Sequence, residues 1–244
     1  EPQLSPIMDK VAFTSNRTGN YHIFTMNRDG SNVRKVTSLA VEGNHNNGKA
    51  YCWSPDGGRL LYSRHDRLYT INRDGTGAQV IAVAPAGRHF GDVDWTATGG
   101  GRIVVQTVGT EIYNSEIYIM DEDGSNMLQI VANDPGRTDH PVFSLNGAFI
   151  LFTHDVSGFD AQSGRQLDSR IFMLDLSTMA LTDLSANKPS GTNDLMPEFS
   201  PDGSSIIFVN ENNTGLQPPQ IFVMDMSGGS RQLVFDNATM PHAE

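Results

Sequence analysis

The chain has 244 residues, a formal net charge of −11, a sequence pI of about 4.9 and 38% hydrophobic residues. This acidic balance argues against non-specific nucleic-acid binding, which needs a positively charged surface. The single cysteine, Cys52, excludes an internal disulfide, and no apolar run is long enough to cross a bilayer. We therefore expect neither a nucleic-acid partner nor membrane insertion.

One unit recurs along the chain, and it is clearest from Trp53 to Gly75, which reads WSPDGGRLLYSRHDRLYTINRDG. Its two apolar runs, 60–62 and 68–71, are bounded by Ser-Pro-Asp-Gly and Asn-Arg-Asp-Gly turns, which predicts a β-hairpin. An aromatic residue opens four of the units, at intervals of 42, 48 and 56 residues: Trp53, Trp95, Phe143 and Phe199. Such intervals are typical of the four-stranded blades of a β-propeller.

We name the four strands of each predicted blade A to D in chain order. The first blade starts near Lys10, after a lead-in of residues 1–9, and has no strand A of its own. The tail segment 240–242 matches 196–198 in strand A of the last unit. We predict that this tail supplies the inner strand of blade 1 and closes the ring, which removes exposed sheet edges. The predicted fold is one all-β domain over residues 1–244, a five-bladed β-propeller with blades at about 10–39 plus 239–244, 48–84, 91–132, 139–186 and 194–236.

The segments FTSNRTGNYHIFTMNRDGSNVRKVT (13–37) and FSPDGSSIIFVN (199–210) resemble the repeats of the TolB propeller and of WD-like propellers attached to some serine peptidases. The resemblance covers nearly all of the chain. It concerns the propeller alone, because the N-terminal domain of TolB has no counterpart in this sequence. It implies a TolB-like binding role and a periplasmic or secreted location.

Antiparallel connectivity assigns the loops to two ends of the blades. The A–B and C–D turns share one end, and they are uniform Asp-Gly turns with a complete local explanation. The D–A and B–C connections share the other end, which we call the loop face. It is varied, and it carries the longest insertion, 155–170 in blade 4. Variable loops on one face of a repeat array usually mark the binding face.

Histidines, acidic residues and arginines recur in the predicted D–A connections. Because strand A starts nearest the central axis, we expect side chains from separate blades to converge there. The predicted ligand-binding residues are Asn44, His45, Arg88, His89, Asp92, Arg137, Asp139, His140, Asn193 and Asp194. Clustered imidazole and carboxylate groups bind divalent metals, and the predicted metal ligands are His45, His89, His140 and His242. The alternative is that these are ordinary surface or capping residues.

Two main functions follow from these observations. The first is a non-catalytic binding propeller that holds a protein, peptide or glycan on the loop face, as a monomer. The alternative is a metal-assisted enzyme, similar to polysaccharide lyases on related propellers, in which Arg88 or Arg137 holds the carboxylate of an acidic glycan. Its cofactor would be a divalent metal ion in or near the central channel. A third reading is a structural part of a larger exported protein. The sequence contains no nucleophile elbow, Walker loop or cysteine-rich metal motif, which favours the binding module.

Overall fold

A computed structural model describes residues 2–41, 50–111, 113–132, 134, 136–158 and 167–238. Twenty strands and no helix occur in these ranges, so the described part also holds no helix that could cross a membrane. The strands form five four-stranded antiparallel sheets. The fold class is therefore all-β, a five-bladed β-propeller, as the sequence predicted.

The strands of each blade follow one another in the chain. Blade 1 contains β1 (Gln3–Leu4), β2 (Lys10–Thr18), β3 (Asn20–Asn27) and β4 (Arg34–Lys35). Blade 2 contains β5 (Tyr51–Trp53), β6 (Arg59–Arg64), β7 (Arg67–Asn72) and β8 (Gln79–Val83). Blade 3 contains β9 (His89–Thr96), β10 (Arg102–Val108), β11 (Ser115–Asp121) and β12 (Leu128–Val131). Blade 4 contains β13 (Thr138–Phe143), β14 (Phe149–Asp155), β15 (Ser169–Asp175) and β16 (Leu181–Asp183). Blade 5 contains β17 (Thr192–Phe199), β18 (Ser205–Asn212), β19 (Gln220–Asp225) and β20 (Gln232–Phe235).

The chain divides into two compact units, residues 1–107 with 118–129 and residues 108–117 with 130–244. The first unit has an apolar core between blades 1 and 2, around Trp53, and another between blades 2 and 3, around Leu61. The second unit has a core between blades 4 and 5, around Phe208. In both units the core thus lies between neighbouring sheets.

Strand B of a blade is buried on both faces. In blade 4, Ile150, Leu151 and Phe152 are consecutive and each is at most 1% exposed. A strand covered on both sides needs a continuous apolar run rather than alternating apolar and polar residues. This requirement explains why the strand B segments were the clearest strands in the sequence.

The Ser-Pro-Asp-Gly turns close on their own side chains. Asp56 accepts hydrogen bonds from the Ser54 hydroxyl at 2.6 Å and from the Gly58 amide at 2.9 Å, while Gly57 adopts a φ of 67°. In blade 5, hydrogen bonds from Ser200 and Ser204 lower the pKa of Asp202 to about 2. The turns at this end therefore have a complete local explanation, as expected from their sequence.

The assignment of strand A in blade 1 needs a correction. The inner strand paired with β2 is β1, from the segment 1–9 that the sequence predicts as a lead-in, with Gln3 opposite Ala12. Gln3 is 5% exposed; its side chain donates to the Tyr51 carbonyl at 2.8 Å, and its own carbonyl accepts from the Trp53 indole at 3.1 Å. The tail, 239–244, to which we assigned this position, lies outside the described residues.

We predict that Gln3→Ala destabilises the protein by about 1–3 kcal/mol, because the buried Tyr51 carbonyl loses its partner. For a chain of this size, that corresponds to a melting temperature lower by a few degrees. Thermal unfolding followed by tryptophan fluorescence would measure it, with Gln232→Ala on the exposed strand β20 as the control. Equal melting temperatures for the two variants would contradict the role given to β1.

Candidate functional site

Most predicted site residues lie within strand A rather than in open D–A loops. Asp139 pairs opposite Thr153, and Asp194 opposite Asn210. The residues of this group that are less than 10% exposed are Asp92, Asp139, His140, Asn193 and Asp194. Their placement in D–A loops was therefore wrong, because pairing with strand B begins earlier in the chain than the turn residues suggest. Only Arg88 and Arg137 directly precede strand A, and His89 begins it.

Asp194 is the centre of a buried network in blade 5. Its carboxylate, 0% exposed, accepts two hydrogen bonds of 2.8 Å from Arg231, one of 2.6 Å from Ser185 and one of 2.8 Å from Asn210. A carboxylate offers about four acceptor positions, so this set engages all of them. Asp194 therefore serves the structure of blade 5.

The arginines proposed for substrate binding also have internal partners. The Arg137 Nε atom lies 2.6 Å from an Asp139 carboxylate oxygen, and both side chains are largely buried. Arg88 donates to the hydroxyl of Thr107 at 2.8 Å and to its carbonyl at 3.0 Å. The Arg88 contacts tie the start of strand A to the end of strand B in blade 3, whereas the Arg137–Asp139 pair lies at the start of strand A in blade 4.

The histidines of the site occupy different structural positions. His89 is exposed, and its ring centroid lies 6.2 Å from that of His65 in the B–C turn of blade 2. His140 is 9% exposed, with a φ of 52°, at a β-bulge before Pro141; Met196, also with a φ of 52°, is its counterpart in blade 5. His89 and His140 are therefore not equivalent members of one ring of ligands.

Three predicted residues, Asn44, His45 and His242, lie outside the described residues. Within the described ranges, no group of three or more His, Cys, Asp or Glu side chains is arranged to hold a metal ion. The predicted metal site thus keeps only His89 and His140 among residues that the structure describes, and these belong to separate compact units.

A pocket of about 550 Å³ opens on the loop face of blade 4. Its apolar walls come from the stacked rings of Phe152 and Phe172, from Leu181 on strand D, and from Val131 at the end of β12. The D–A connection adds Asp134, and the B–C connection adds 156–158. Residues 156–158 of this pocket belong to 155–170, the longest insertion that the sequence analysis found.

His154 and Asp134 are titratable side chains of this pocket, and His154 is the more enclosed of the two. One ring nitrogen lies 2.9 Å from the Thr138 hydroxyl, and Nε2 lies 3.9 Å from the Asp134 carboxylate. Burial lowers the pKa of His154 below the ordinary value of 6.5, although Asp134, Asp155 and Asp139 oppose that shift. His154 lies near the end of β14, and it is not among the site residues that the sequence predicted.

Sequence analysis also missed Asp134, Phe172 and Leu181. The sequence signal that could have indicated this pocket is Leu181, the first residue of strand D in blade 4. The corresponding residue of blade 5 is Arg231, which directly precedes β20. A smaller pocket of about 380 Å³ lies at the same end of blade 5 and is lined mainly by amide side chains, including Asn210, Asn212 and Gln220. The loop face of the second unit therefore contains two recesses of different chemistry.

Comparison with solved structures finds similar propellers. The chain is 20% identical to a protein assigned as TolB from Agrobacterium tumefaciens, with a TM-score of 0.69 over 96% of this chain and 79% of that one. It is 16% identical to TolB from Acinetobacter baumannii, with a TM-score of 0.70 over 97% of this chain and 55% of that one. An oligogalacturonate lyase in complex with manganese is 16% identical, with a TM-score of 0.66 over 94% of this chain and 63% of that one.

At these identities the likeness shows the fold alone, and it confirms the resemblance to TolB-type propellers. The chain spans little more than half of the Acinetobacter protein and under two thirds of the lyase. No family model matches the sequence, and no curated protein matches it.

We predict that Asp194→Ala destabilises the protein by about 3–5 kcal/mol, because Arg231 is left buried without its carboxylate. Urea unfolding would measure the change, with Asp66→Ala as the control, since Asp66 is half exposed and 3.8 Å from its arginine partner. A loss below about 1 kcal/mol would show that the network is dispensable.

We also predict that His154 weakens the folded state in mild acid. Its folded-state pKa is below 6.5, so the unfolded chain binds the proton more tightly, and stability falls as the pH drops below about 6.5. The variant His154→Gln should lose less stability than the wild type between about pH 7.5 and about pH 5. Urea unfolding at both pH values would test this, and an identical pH dependence in the two proteins would contradict it.

Proposed function

We propose that this chain is a non-catalytic binding propeller that holds a protein, peptide or glycan on its loop face. The observation that carries the proposal is the blade 4 pocket, which lies where the D–A and B–C connections meet. Its walls belong to the strands of a rigid sheet, and its rim is formed by connections. Recognition sites are commonly built in this way, with variable loops held by a fixed scaffold.

The internal bonding of the strand A residues supports the same proposal. Asp194 and Arg88 link strands of their own blades, and Asp139 pairs with Arg137 at the start of strand A, so their charges contribute to the scaffold. Among the described residues, by contrast, the pocket presents apolar surface together with the carboxylate of Asp134, whose side chain is 77% exposed. Apolar walls with a few placed polar groups are typical of ligand sites.

The likeness to TolB from two bacteria agrees with a binding role, and on this basis we propose a protein or peptide ligand and a periplasmic or secreted location. The chain's net charge of −11 favours a partner with a positive surface. We propose that the chain acts as a monomer.

The second candidate function is a metal-assisted enzyme that acts on an acidic glycan. The likeness to an oligogalacturonate lyase in complex with manganese favours it. His89 and His140 would be joined by His45 and His242, which lie outside the described residues. Where such a metal binds, it supplies a Lewis acid for a carboxylate-bearing substrate.

We predict that ligands selected on the wild-type chain bind at the blade 4 pocket. A phage-displayed random peptide library and a glycan array would provide the ligands. Val156→Lys should weaken the selected ligands at least about tenfold, because it places a positive charge in the apolar rim. Val80→Lys is the matched control, since the two valines are 41% and 42% exposed and Val80 lies on the outer strand of blade 2. Weaker binding by the Val80 variant alone would move the site away from this face.

The two functions are separated by activity and metal content. We predict that the chain does not cleave oligogalacturonate with or without added manganese. Cleavage would be measured by the ultraviolet absorbance of an unsaturated uronate product. Elemental analysis of the purified protein is the parallel measurement. Cleavage that requires the metal and is lost in His89→Ala or His140→Ala would establish the second function in place of the first.

A further inference from the structure

Four blades carry a pair of stacked aromatic rings at one register. In each pair, a residue of strand B lies directly opposite a residue of strand C. The ring centroids are 5.1–5.9 Å apart, and the planes differ by 8–24°. The pairs are Phe13–Phe24, Tyr62–Tyr69, Phe152–Phe172 and Phe208–Phe222.

Among the residues that the structure describes, an arginine covers this pair in blades 1 and 5. In blade 1, the guanidinium carbon of Arg17 lies 5.0 Å from the centroids of both rings. In blade 5, that of Arg231 lies 4.7 Å from Phe208 and 5.9 Å from Phe222. Arg17 comes from the end of strand B, whereas Arg231 comes from the entry to strand D. The same aromatic platform therefore accepts a guanidinium group delivered from two different directions.

Blade 4 has the platform but neither half of the ion pair found in blade 5. Leu181 occupies the position that Arg231 has in blade 5. Each of the two directly precedes the strand D residue that lies opposite Met173 in blade 4 or Val223 in blade 5. Thr138 occupies the position that Asp194 has in blade 5, because Thr138 lies opposite His154 as Asp194 lies opposite Asn210. Within the ranges that the structure describes, no cation lies over Phe152 or Phe172; the rings line the pocket of about 550 Å³ instead.

A different carboxylate lies at this pocket, although blade 4 lacks a counterpart of Asp194. Asp134, from the D–A connection, lies 3.9 Å from the His154 ring and has a 77% exposed side chain. In blade 5, the guanidinium is held between an aromatic pair and the carboxylate of Asp194. Aromatic rings and a carboxylate thus line the blade 4 pocket also, and no guanidinium of the described residues lies in it.

We propose that the blade 4 pocket binds the guanidinium group of an arginine side chain presented by a partner protein. The proposal rests on the binding function proposed above and specifies its ligand. A planar guanidinium stacks on Phe172 and pairs with the Asp134 carboxylate, whereas a lysine ammonium lacks the flat face. The walls formed by Val131 and Leu181 receive the aliphatic stem of the arginine.

The test uses small probes on the full chain. The probes are N-acetyl-arginine methylamide, its citrulline analogue, which has nearly the same shape without the charge, and the leucine analogue. Nuclear magnetic resonance titration of leucine and valine methyl groups reads out Val131, Val156 and Leu181 directly. We expect the arginine probe to bind about five- to tenfold more tightly than the citrulline probe, with shifts at these methyl groups.

Three variants assign the contacts. Asp134→Asn removes the carboxylate and should abolish the preference for arginine over citrulline. Phe172→Leu removes the ring face while keeping an apolar wall, and it should weaken the arginine probe several-fold. Leu181→Arg places a guanidinium in the register position of Arg231, and it should block the pocket from within. Asp123→Asn, on the C–D turn of blade 3, is the matched control and should change nothing.

Three results would overturn the proposal. Equal binding of the leucine and arginine probes at these methyl groups would make the pocket an apolar site, and the binding function would stand. Tighter arginine binding after Arg165→Ala, in the stretch 159–166 outside the described residues, would show that the chain's own arginine is the occupant. If the arginine probe binds but shifts only methyl groups outside this pocket, then the pocket is not the binding site.

Discussion

The central constraint on this fold is that a four-stranded blade cannot bury its own apolar faces. Strand B is covered on both sides, as the run from Ile150 to Phe152 shows, so each sheet depends on a neighbouring sheet for its core. The repeat length, the continuous apolar runs and the tight turns all follow from this requirement. The same requirement leaves the short outer strands partly exposed to solvent, and β20 is exposed along its whole length.

Close packing of sheets also determines what becomes of charged residues near the start of strand A. A carboxylate enclosed between blades is stable only when its lone pairs are satisfied, and Asp194 meets this condition with Arg231, Ser185 and Asn210. The Arg231 guanidinium in turn lies over Phe208, so one side chain satisfies a charge and covers an aromatic face. Residues that look functional in the sequence are therefore structural in blade 5, whereas in blade 4 the described residues leave a pocket in the corresponding place.

The sequence predicted the features that repeat and missed those that depend on a single blade. Strands B and C and the Asp-Gly turns follow from short-range patterns, and the fold class follows from their spacing. β1 was missed because it has only two residues, although Ser5-Pro6 matches the Ser54-Pro55 turn that follows strand A in blade 2. The pairing of Asp194 with Arg231, 37 residues apart, has no local pattern. The predicted equivalence of His89 and His140 overlooked their spacing, because His89 stands six residues before Trp95 and His140 only three before Phe143.

The hairpin turns give the two ends of a blade different responses to acid. Hydrogen bonds from Ser200 and from Ser227 bring the pKa values of Asp202 and Asp225 to about 2, below the ordinary value of 3.8. Their contribution to folding is complete above about pH 3.8 and fades only as the pH falls towards 2. His154 lies at the opposite end of blade 4, and its lowered pKa predicts a loss of stability that begins below about pH 6.5. On acidification, the end of blade 4 that carries the variable connections should therefore loosen before the turns of Asp202 and Asp225 open.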